Sequence, residues 1–452
     1  MKNVSSSRYG TLLYAGALIV LIAGVSDTAL AADSIWTPPQ LAKLIEEAQK
    51  NNRSIQSIAA RVEALENRVP AAAALPDPRV GFAVQNLPTD SFAFDQEPMT
   101  QKQVFVEQTV PWLSKLELRS DTAAGKAAQE RAGLRAARLE LSKEVAVAWY
   151  ESGYVVESQR INQELIELIQ RIRRDAESRY AVGRGQQQDI FQAEVELSRR
   201  RDEAIRLENL HKSIQDRLHE LTNREDFQYI PPPSQLPEPD FRCSLPSLKE
   251  EALAGNPTLK GLKAALGSSK VDTALAEKEY FPDVTIRLRY GQRDQDRTGR
   301  NLPDFFSAAV ALDIPLWHHK KQDHELAAAA NDQRYAQNRY QNFQKQLPHK
   351  VHALASEIED TCRRYRLYTR ELIPQAGQWA GSALDAYQVS RVEFDAMIDA
   401  RMRVLQYRRE ASRLLYTAYQ KRAELEALIG GNVPESLRDS GHTPGGGTNV
   451  RQ

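Results

Sequence analysis

The segment VPWLSKLEL, residues Val110–Leu118, has a second copy about two hundred residues later, IPLWHHKKQDHE, residues Ile314–Glu325. In both copies an alternating apolar run stops at a proline, and a long stretch rich in alanine and poor in glycine begins. This change of pattern indicates a strand that ends where a helix starts. Two such junctions in one chain indicate a fold built from two similar halves.

The segments around the two junctions also repeat. The stretch LPDPRVGFAV, which starts at Leu75, corresponds to FPDVTIRLRY, which starts at Phe281. Helix-like segments upstream and polar segments downstream correspond in the same order. We therefore predict a tandem duplication, with a first repeat at 32–225, a proline-rich linker at 226–246, a second repeat at 247–430 and a disordered tail at 431–452.

The N-terminus has the pattern of a secretory signal peptide. Lys2 and Arg8 precede an apolar run that ends near Val25, and the small-residue sequence ALA follows at 29–31. Residues 1–31 are therefore predicted to be removed from the mature protein.

The composition excludes several classes of protein. The chain has 60 Lys and Arg against 60 Asp and Glu, and this balance does not indicate a nucleic-acid partner. After the signal peptide no apolar run approaches the length of a membrane-spanning helix, and the mean hydropathy is −0.54. Any membrane span would therefore be a β-barrel. Cys243 and Cys362 are expected to remain thiols rather than to form a disulfide.

Four segments alternate between apolar and other residues and are predicted as strands, at 78–88, 102–110, 284–292 and 305–314. In the last two, Leu288 and Val310 lie on an apolar face predicted to contact lipid, while Arg287 and Arg289 lie on the opposite face, predicted to line a lumen. A soluble sheet with one wet face has the same alternation. The signal peptide favours the membrane interpretation, as do aromatic residues predicted at one end of the strands: Trp112, Tyr280, Phe281 and Trp317.

The number of strands predicts an assembly. Four strands cannot close a barrel, and an open edge in hydrocarbon would leave backbone groups without hydrogen bonds. A cyclic trimer would supply twelve strands, enough for a pore with a water-filled lumen.

Each strand pair is followed by a very long helical segment. These segments run from Leu113 to about Tyr180 and from Trp317 to about Tyr387, which is on the order of 100 Å if they are wholly helical. That length exceeds a globular core. Each segment is predicted to turn at a polar tip, near 180–189 and near 387–399, and to return as a second helix.

In the order of these features the chain resembles the TolC-type outer-membrane efflux channels. The resemblance rests on the duplicated strand pair ending in VPW and IPLW, on IPQA at Ile373–Ala376, and on the two hairpin tips. It implies an α+β membrane protein: a homotrimer with a twelve-stranded barrel in the bacterial outer membrane and a long α-helical barrel in the periplasm. It also implies a channel that is not an enzyme, has no cofactor, and works with a periplasmic adaptor protein and an inner-membrane pump.

The resemblance also assigns roles at the hairpin tips. In such channels the periplasmic tips close the pore through hydrogen bonds and salt bridges between neighbouring hairpins, and acidic rings attract cations. The corresponding positions here are Asp189, Tyr387 and Asp399, whereas Arg391 and Asp395 lie one residue out of register. Ordinary turn and capping residues would give a similar pattern.

The stretch from Leu75 to Gln103 is similar to the heavy-metal branch of this family, whose pumps export copper, silver, cobalt, zinc or cadmium ions. Multidrug efflux and type I protein secretion remain alternatives for the transported substrate. A periplasmic adaptor protein is a further alternative, because adaptors also combine helical hairpins with β-structure. An enzyme is not indicated, since the chain has no glycine-rich phosphate loop, nucleophile elbow or clustered Cys/His set.

The three histidines of IPLWHHKKQDHE raise the question of a metal site. His318 and His319 are adjacent, so their side chains should diverge on a helix, and His324 is not one turn from either. The first repeat has no histidine at the equivalent place. We therefore expect no metal-binding residues here.

Overall fold

The computed structural model describes residues 38–389 and 391–433. Within these ranges the chain is mostly helical, with one small antiparallel sheet. The predicted signal peptide and the predicted tail from residue 434 onward lie outside the described residues.

The two halves have the same order of elements: two helices, two strands and a long helical hairpin. The first half contains α1 (Pro39–Asn51), α2 (Arg53–Ala73), β1 (Arg79–Gln85), β2 (Gln101–Val110), α3 (Lys115–Ala181) and α4 (Gln187–Thr222). The second contains α5 (Leu245–Gly255), α6 (Pro257–Lys278), β3 (Val284–Gln292), β4 (Phe305–Leu312), α7 (Gln322–Leu367), α8 (Ile373–Gln388) and α9 (Phe394–Ile429). The strands β1 and β4 are shorter than predicted.

Two asparagines occupy equivalent positions in the two halves. The Asn52 side chain accepts hydrogen bonds from the backbone at the start of α2, and Asn256 does the same for α6, because a short side-chain oxygen can satisfy amides that a helix start leaves unpaired. Each side chain also donates to the end of a returning helix, Asn52 to the Leu221 carbonyl and Asn256 to the Leu428 carbonyl. Asn52 and Asn256 therefore fix the same kind of helix junction once in each half.

The sheet has the order β1-β2-β3-β4, and every neighbouring pair is antiparallel. The pair β2 and β3 joins the first half of the chain to the second, with Leu288 opposite Val106 and Arg287 opposite Glu107. Because side chains alternate across a strand, this register places each set of apolar residues on one common face.

The helical hairpins are very long. The helix α3 has 67 residues, which corresponds to about 100 Å. In the second half, a π-helical turn at Tyr368–Leu372 separates α7 from α8, next to Pro374, which lies in the first turn of α8. Pro374 has no amide to donate to the preceding turn, and a π-helical turn is one way in which a continuous helix accommodates this.

The proline-rich linker is fixed against the middle of the helices. The Trp149 indole donates to the Pro231 carbonyl at 2.9 Å, and the Tyr419 hydroxyl donates to the Pro237 carbonyl at 3.2 Å. Both rings are almost fully buried in the largest apolar cluster, between α3 and α9. Across residues 38–389 and 391–433, none of the helices is both long and apolar enough to cross a membrane.

Candidate functional site

One face of the sheet is apolar and exposed along all four strands. Phe82 in β1 is 84% exposed, Leu288 in β3 is 44% exposed and Val310 in β4 is 69% exposed. The register places the other apolar residues beside them: Val80, Val84, Val104, Val106, Ile286, Tyr290, Phe306 and Leu312. A continuous apolar surface of this kind is typical of a surface that contacts lipid or another protein.

The opposite face of the sheet is polar and more buried. Glu107 lies at its centre, where it forms an ion pair with Arg287 and lies 3.8 Å from Arg79. Arg289 is on this face, as predicted from the alternation, and pairs across the sheet with Phe105 and Ser307. The two predicted lumen-facing arginines therefore share one surface, and Glu107 is a partner that the sequence analysis did not identify.

A glycine permits close packing on this polar face. A Cβ atom added to Gly81 would lie 2.5 Å from the Phe105 ring, so that ring covers the position where another residue would have a side chain. A larger residue there would displace the aromatic ring next to Arg287, which lies 5.7 Å from its centroid.

The two outer strands of the sheet have open edges in one chain. Within the described ranges, β1 pairs only with β2, and β4 pairs only with β3. The outer edges therefore have backbone amide and carbonyl groups without partner strands, which are the groups through which a sheet extends to another chain.

The junction between β2 and α3 in the first half contacts the segment between α6 and β3 in the second half. Lys115, only 2% exposed, donates to Glu279 at 3.1 Å, to Asp283 at 2.9 Å and to the Phe281 carbonyl at 3.0 Å. Burial by itself would raise the pKa of Asp283, but the hydrogen bonds from Lys115 and from the Trp112 amide, together with the charges of Lys115 and Arg119, outweigh it and hold that pKa below its usual value.

Aromatic residues lie at the same end of the sheet. The rings of Trp112 and Phe281 stack with centroids 5.3 Å apart. The side chain of Trp317 is exposed after β4, and the Tyr280 hydroxyl donates to Asp323. The predicted collection of aromatic residues at one end is therefore present.

At the other end of the hairpins, the two tips of one chain contact each other. The Arg179 guanidinium lies 4.2 Å from the centroid of the Tyr387 ring and donates to the Tyr387 carbonyl at 3.2 Å. Burial raises the pKa of the Tyr387 hydroxyl. Arg179 was not among the predicted tip residues. Its position four residues before Gly183, the first glycine of RYAVGRG, is not by itself a signal of this contact, which depends on how the hairpins pack.

The acidic residues at the tip lie in different surroundings. The pKa of Asp189 is raised, mainly by burial and further by the charge of Asp395, which also accepts from Gln192 at 3.5 Å. Asp399 is exposed and lies 3.5 Å from Arg403, one turn along the same helix. Asp189 and Asp395 therefore belong to one acidic cluster, whereas Asp399, one turn further along α9, pairs with Arg403.

The remaining predicted tip residue, Arg391, has an exposed side chain. Its backbone amide donates to the Ala386 carbonyl at 2.8 Å and closes the turn after α8. The tip thus has Tyr387 and Arg179 packed inside one chain and Arg391 directed to its surface.

The histidine segment differs from the sequence-based expectation. His318 and His319 form a short 3₁₀ turn rather than part of a regular helix, and their rings lie 3.8 Å apart. Both approach Asp323, so the expectation that they diverge is wrong. A 3₁₀ turn before α7 changes the directions of adjacent side chains, which periodicity alone does not reveal.

Comparison with known proteins finds one family model and several solved structures that are similar to this chain. Residues 44–224 match the family model described as outer membrane efflux protein. No curated protein sequence matches the chain.

Several solved structures share the fold at low sequence identity. CusC, studied for the conformational changes that accompany folding and transmembrane channel formation, gives a TM-score of 0.75 at 15% identity, covering 89% of this chain and 96% of CusC. The outer membrane protein VceC of Vibrio cholerae gives 0.74 at 18% identity, covering 87% and 96%. The CmeC outer membrane channel of Campylobacter jejuni gives 0.74 at 13% identity, covering 96% and 94%. The chain therefore has the fold of these proteins, and its first half matches the efflux family.

Proposed function

We propose that this protein is the outer-membrane channel of a tripartite efflux system, a passive exit duct that performs no catalysis. The observation that carries the proposal is the combination of one exposed apolar sheet face with two open sheet edges on the same four strands. A soluble sheet would cover such a face with helices, whereas a barrel in lipid exposes it.

The open edges support a homotrimer. Pairing β4 of one chain with β1 of the next would satisfy the edge groups of all copies, and three copies would form a closed barrel of twelve strands. The polar face with Arg287, Arg289 and Glu107 would then line the lumen. The hairpins, about 100 Å long, would continue the duct through the periplasm to an adaptor protein and an inner-membrane pump.

The experiment that tests this proposal combines mass and conductance. The mature protein extracted from outer membranes in detergent should have the native mass of three chains, and it should form ion-conducting channels in planar bilayers. A folded, membrane-inserted monomer would contradict the barrel. Recovery of the protein without outer-membrane lipid would favour the periplasmic adaptor alternative.

We assign closure of the duct to the hairpin tips. The side chain of Arg391 is directed to the surface of one chain, where it can reach the next chain, while Asp189 and Asp395 supply negative charge nearby. A single exposed ion pair contributes about 1 kcal/mol or less, but three symmetric copies that separate together can act as a latch.

The latch is tested with the double variant Tyr387→Phe and Arg391→Ser, which should raise single-channel conductance and admit bulky antibiotics into cells. The phenylalanine keeps the ring against Arg179 and removes only the hydroxyl. The matched control is Tyr180→Phe, at an exposed tyrosine of the other tip. Wild-type conductance in the double variant, with trimers intact, would place the closure elsewhere.

For the transported substrate we propose heavy-metal cations, based on the similarity of Leu75–Gln103 to the heavy-metal branch. Cells without the gene should become more sensitive to copper, silver, cobalt, zinc or cadmium salts. Sensitivity to antibiotics alone would favour multidrug efflux, and loss of a secreted protein would favour type I secretion.

A further inference from the structure

Three side chains converge where β4 leads into the second long helical segment. The His319 Nδ1 atom lies 3.0 Å from the Asp323 Oδ2 atom, and the His318 Nδ1 atom lies 3.6 Å from the Asp323 Oδ1 atom. One donor atom from each residue can be chosen so that all three lie within 4.8 Å of one another. Among the described residues, this is the group of histidine, cysteine and acidic side chains with such a spacing.

These separations are close to those of a metal site. Zinc binds nitrogen and oxygen ligands at about 2.0–2.1 Å, so two ligands of a tetrahedral site lie about 3.3 Å apart. The two histidine-to-carboxylate distances fall on either side of that value. Small side-chain rotations would therefore suffice to bring both rings and the carboxylate onto one ion.

The surroundings orient the carboxylate in the way that metal sites require. The Tyr280 hydroxyl donates to Asp323 Oδ1 at 2.6 Å, which leaves Oδ2 directed at His319. Hydrogen bonds of this kind hold a ligating carboxylate in position.

The His318 Nδ1 atom gives an independent indication of a ligand. It is shielded from solvent and has no hydrogen-bond partner within the described chain. A shielded polar atom without a partner is unfavourable, and a bound cation would satisfy it.

We propose that His318, His319 and Asp323 bind one divalent transition-metal ion per chain, of the class that includes zinc, with water completing the coordination. Two imidazoles and a carboxylate suit zinc, copper or nickel, whereas magnesium and calcium prefer oxygen ligands alone. The neighbouring Lys320 and Lys321 weaken the attraction for a cation, but they are exposed and screened by solvent.

The site belongs to the second half of the chain alone, because Trp112, Leu113 and Ser114 follow the corresponding proline in the first half. A bound ion would tie the 3₁₀ turn to the start of α7 and, through Tyr280, to the end of α6. This role is separate from transport and does not depend on the substrate of the channel.

Zinc binding to the full mature protein in detergent, freed of any histidine tag, tests the proposal. Equilibrium dialysis against Zn²⁺ should show one ion per chain. His319→Ala and Asp323→Asn should each lower the affinity at least about 10-fold, and Tyr280→Phe about 10-fold by removing the orienting hydroxyl. His324→Ala and His349→Ala, at exposed histidines outside the cluster, are matched controls and should bind as the wild type does.

Acid should also release the ion, because metals bind the neutral imidazole. No stoichiometric binding, or equal binding by the wild type, His319→Ala and Asp323→Asn, would overturn the proposal. Native mass and circular dichroism identify any variant that fails to fold, and for such a variant Tyr280→Phe remains the deciding measurement. The assay does not use conductance, so failure of the channel proposal would leave its result interpretable.

Discussion

The substitution Leu288→Arg distinguishes a sheet in lipid from a sheet in water. Leu288 is the central residue of β3 and lies on the apolar face opposite Val106 and Ala308. It is already 44% exposed in one chain, so an arginine there would meet no steric obstacle on the outer side. The effect of the substitution therefore depends on the medium that the face contacts.

The expected magnitude follows from that position. An arginine on the lipid face near the bilayer midplane costs about 2–4 kcal/mol, and three copies in one barrel would lose about 6–12 kcal/mol in total. At an exposed position in water, the same substitution would change the free energy of unfolding by about 0.5 kcal/mol or less. The two interpretations thus predict losses of unfolding free energy that differ several-fold.

The measurement is urea-induced unfolding of the protein folded into lipid vesicles. The matched control is Arg289→Leu, the next residue of the same strand at the same depth but on the polar face, which should change the free energy of unfolding little. Equal urea midpoints for Leu288→Arg, Arg289→Leu and the wild type would refute the lipid contact. A gain in stability for Arg289→Leu, with no loss for Leu288→Arg, would mean that the two faces are assigned the wrong way round.

Three further substitutions test other parts of the structure. Lys115→Met should lower the free energy of unfolding by about 3 kcal/mol per chain because it leaves Glu279 and Asp283 without their buried partner. Lys126→Met, at an exposed position on the same helix, should change it little. Equal effects of the two substitutions would contradict the role of the Lys115 ion pairs. Asp189→Asn should slow hydrogen exchange at the first tip at pH 7. The raised pKa means that the folded tip favours the protonated carboxyl of Asp189. This contribution to stability is present in acid and is lost as the pH rises through that pKa. The difference in exchange rate between Asp189→Asn and the wild type should therefore narrow toward about pH 4. Asp399→Ala should reduce cation preference, measured as reversal potential in a salt gradient, because it removes negative charge from an exposed position near the tip; an unchanged potential would exclude it from the ion path.

Local patterns were sufficient to identify the strands and the long helices. Alternation is a property of neighbouring residues, so the apolar face with Leu288 and the polar face with Arg287 follow from the sequence. The repeated motifs likewise predicted the order of elements in both halves. Asn52 and Asn256 give the repeated segments a structural role, since each caps one helix and contacts another.

Contacts between distant segments were decided only by the tertiary structure. Arg179 and Tyr387 are more than two hundred residues apart, and nothing in either local pattern indicates that a guanidinium will lie over that ring. The same holds for Lys115, which looks like any lysine at the start of a helix until the second half supplies Glu279 and Asp283.

The histidine segment shows most directly what the sequence pattern alone could not predict. Its composition indicated metal ligands, and helical periodicity argued against them because adjacent side chains on a regular helix diverge. The 3₁₀ turn at His318–Lys320 alters those directions, and Tyr280, in the turn after α6, orients Asp323. The sequence by itself determined the residue types, the order of the helices and strands in each half, and the two faces of each strand, since these depend on neighbours in the chain. Only the tertiary structure decided which side chains meet, because that depends on how separate helices and strands pack.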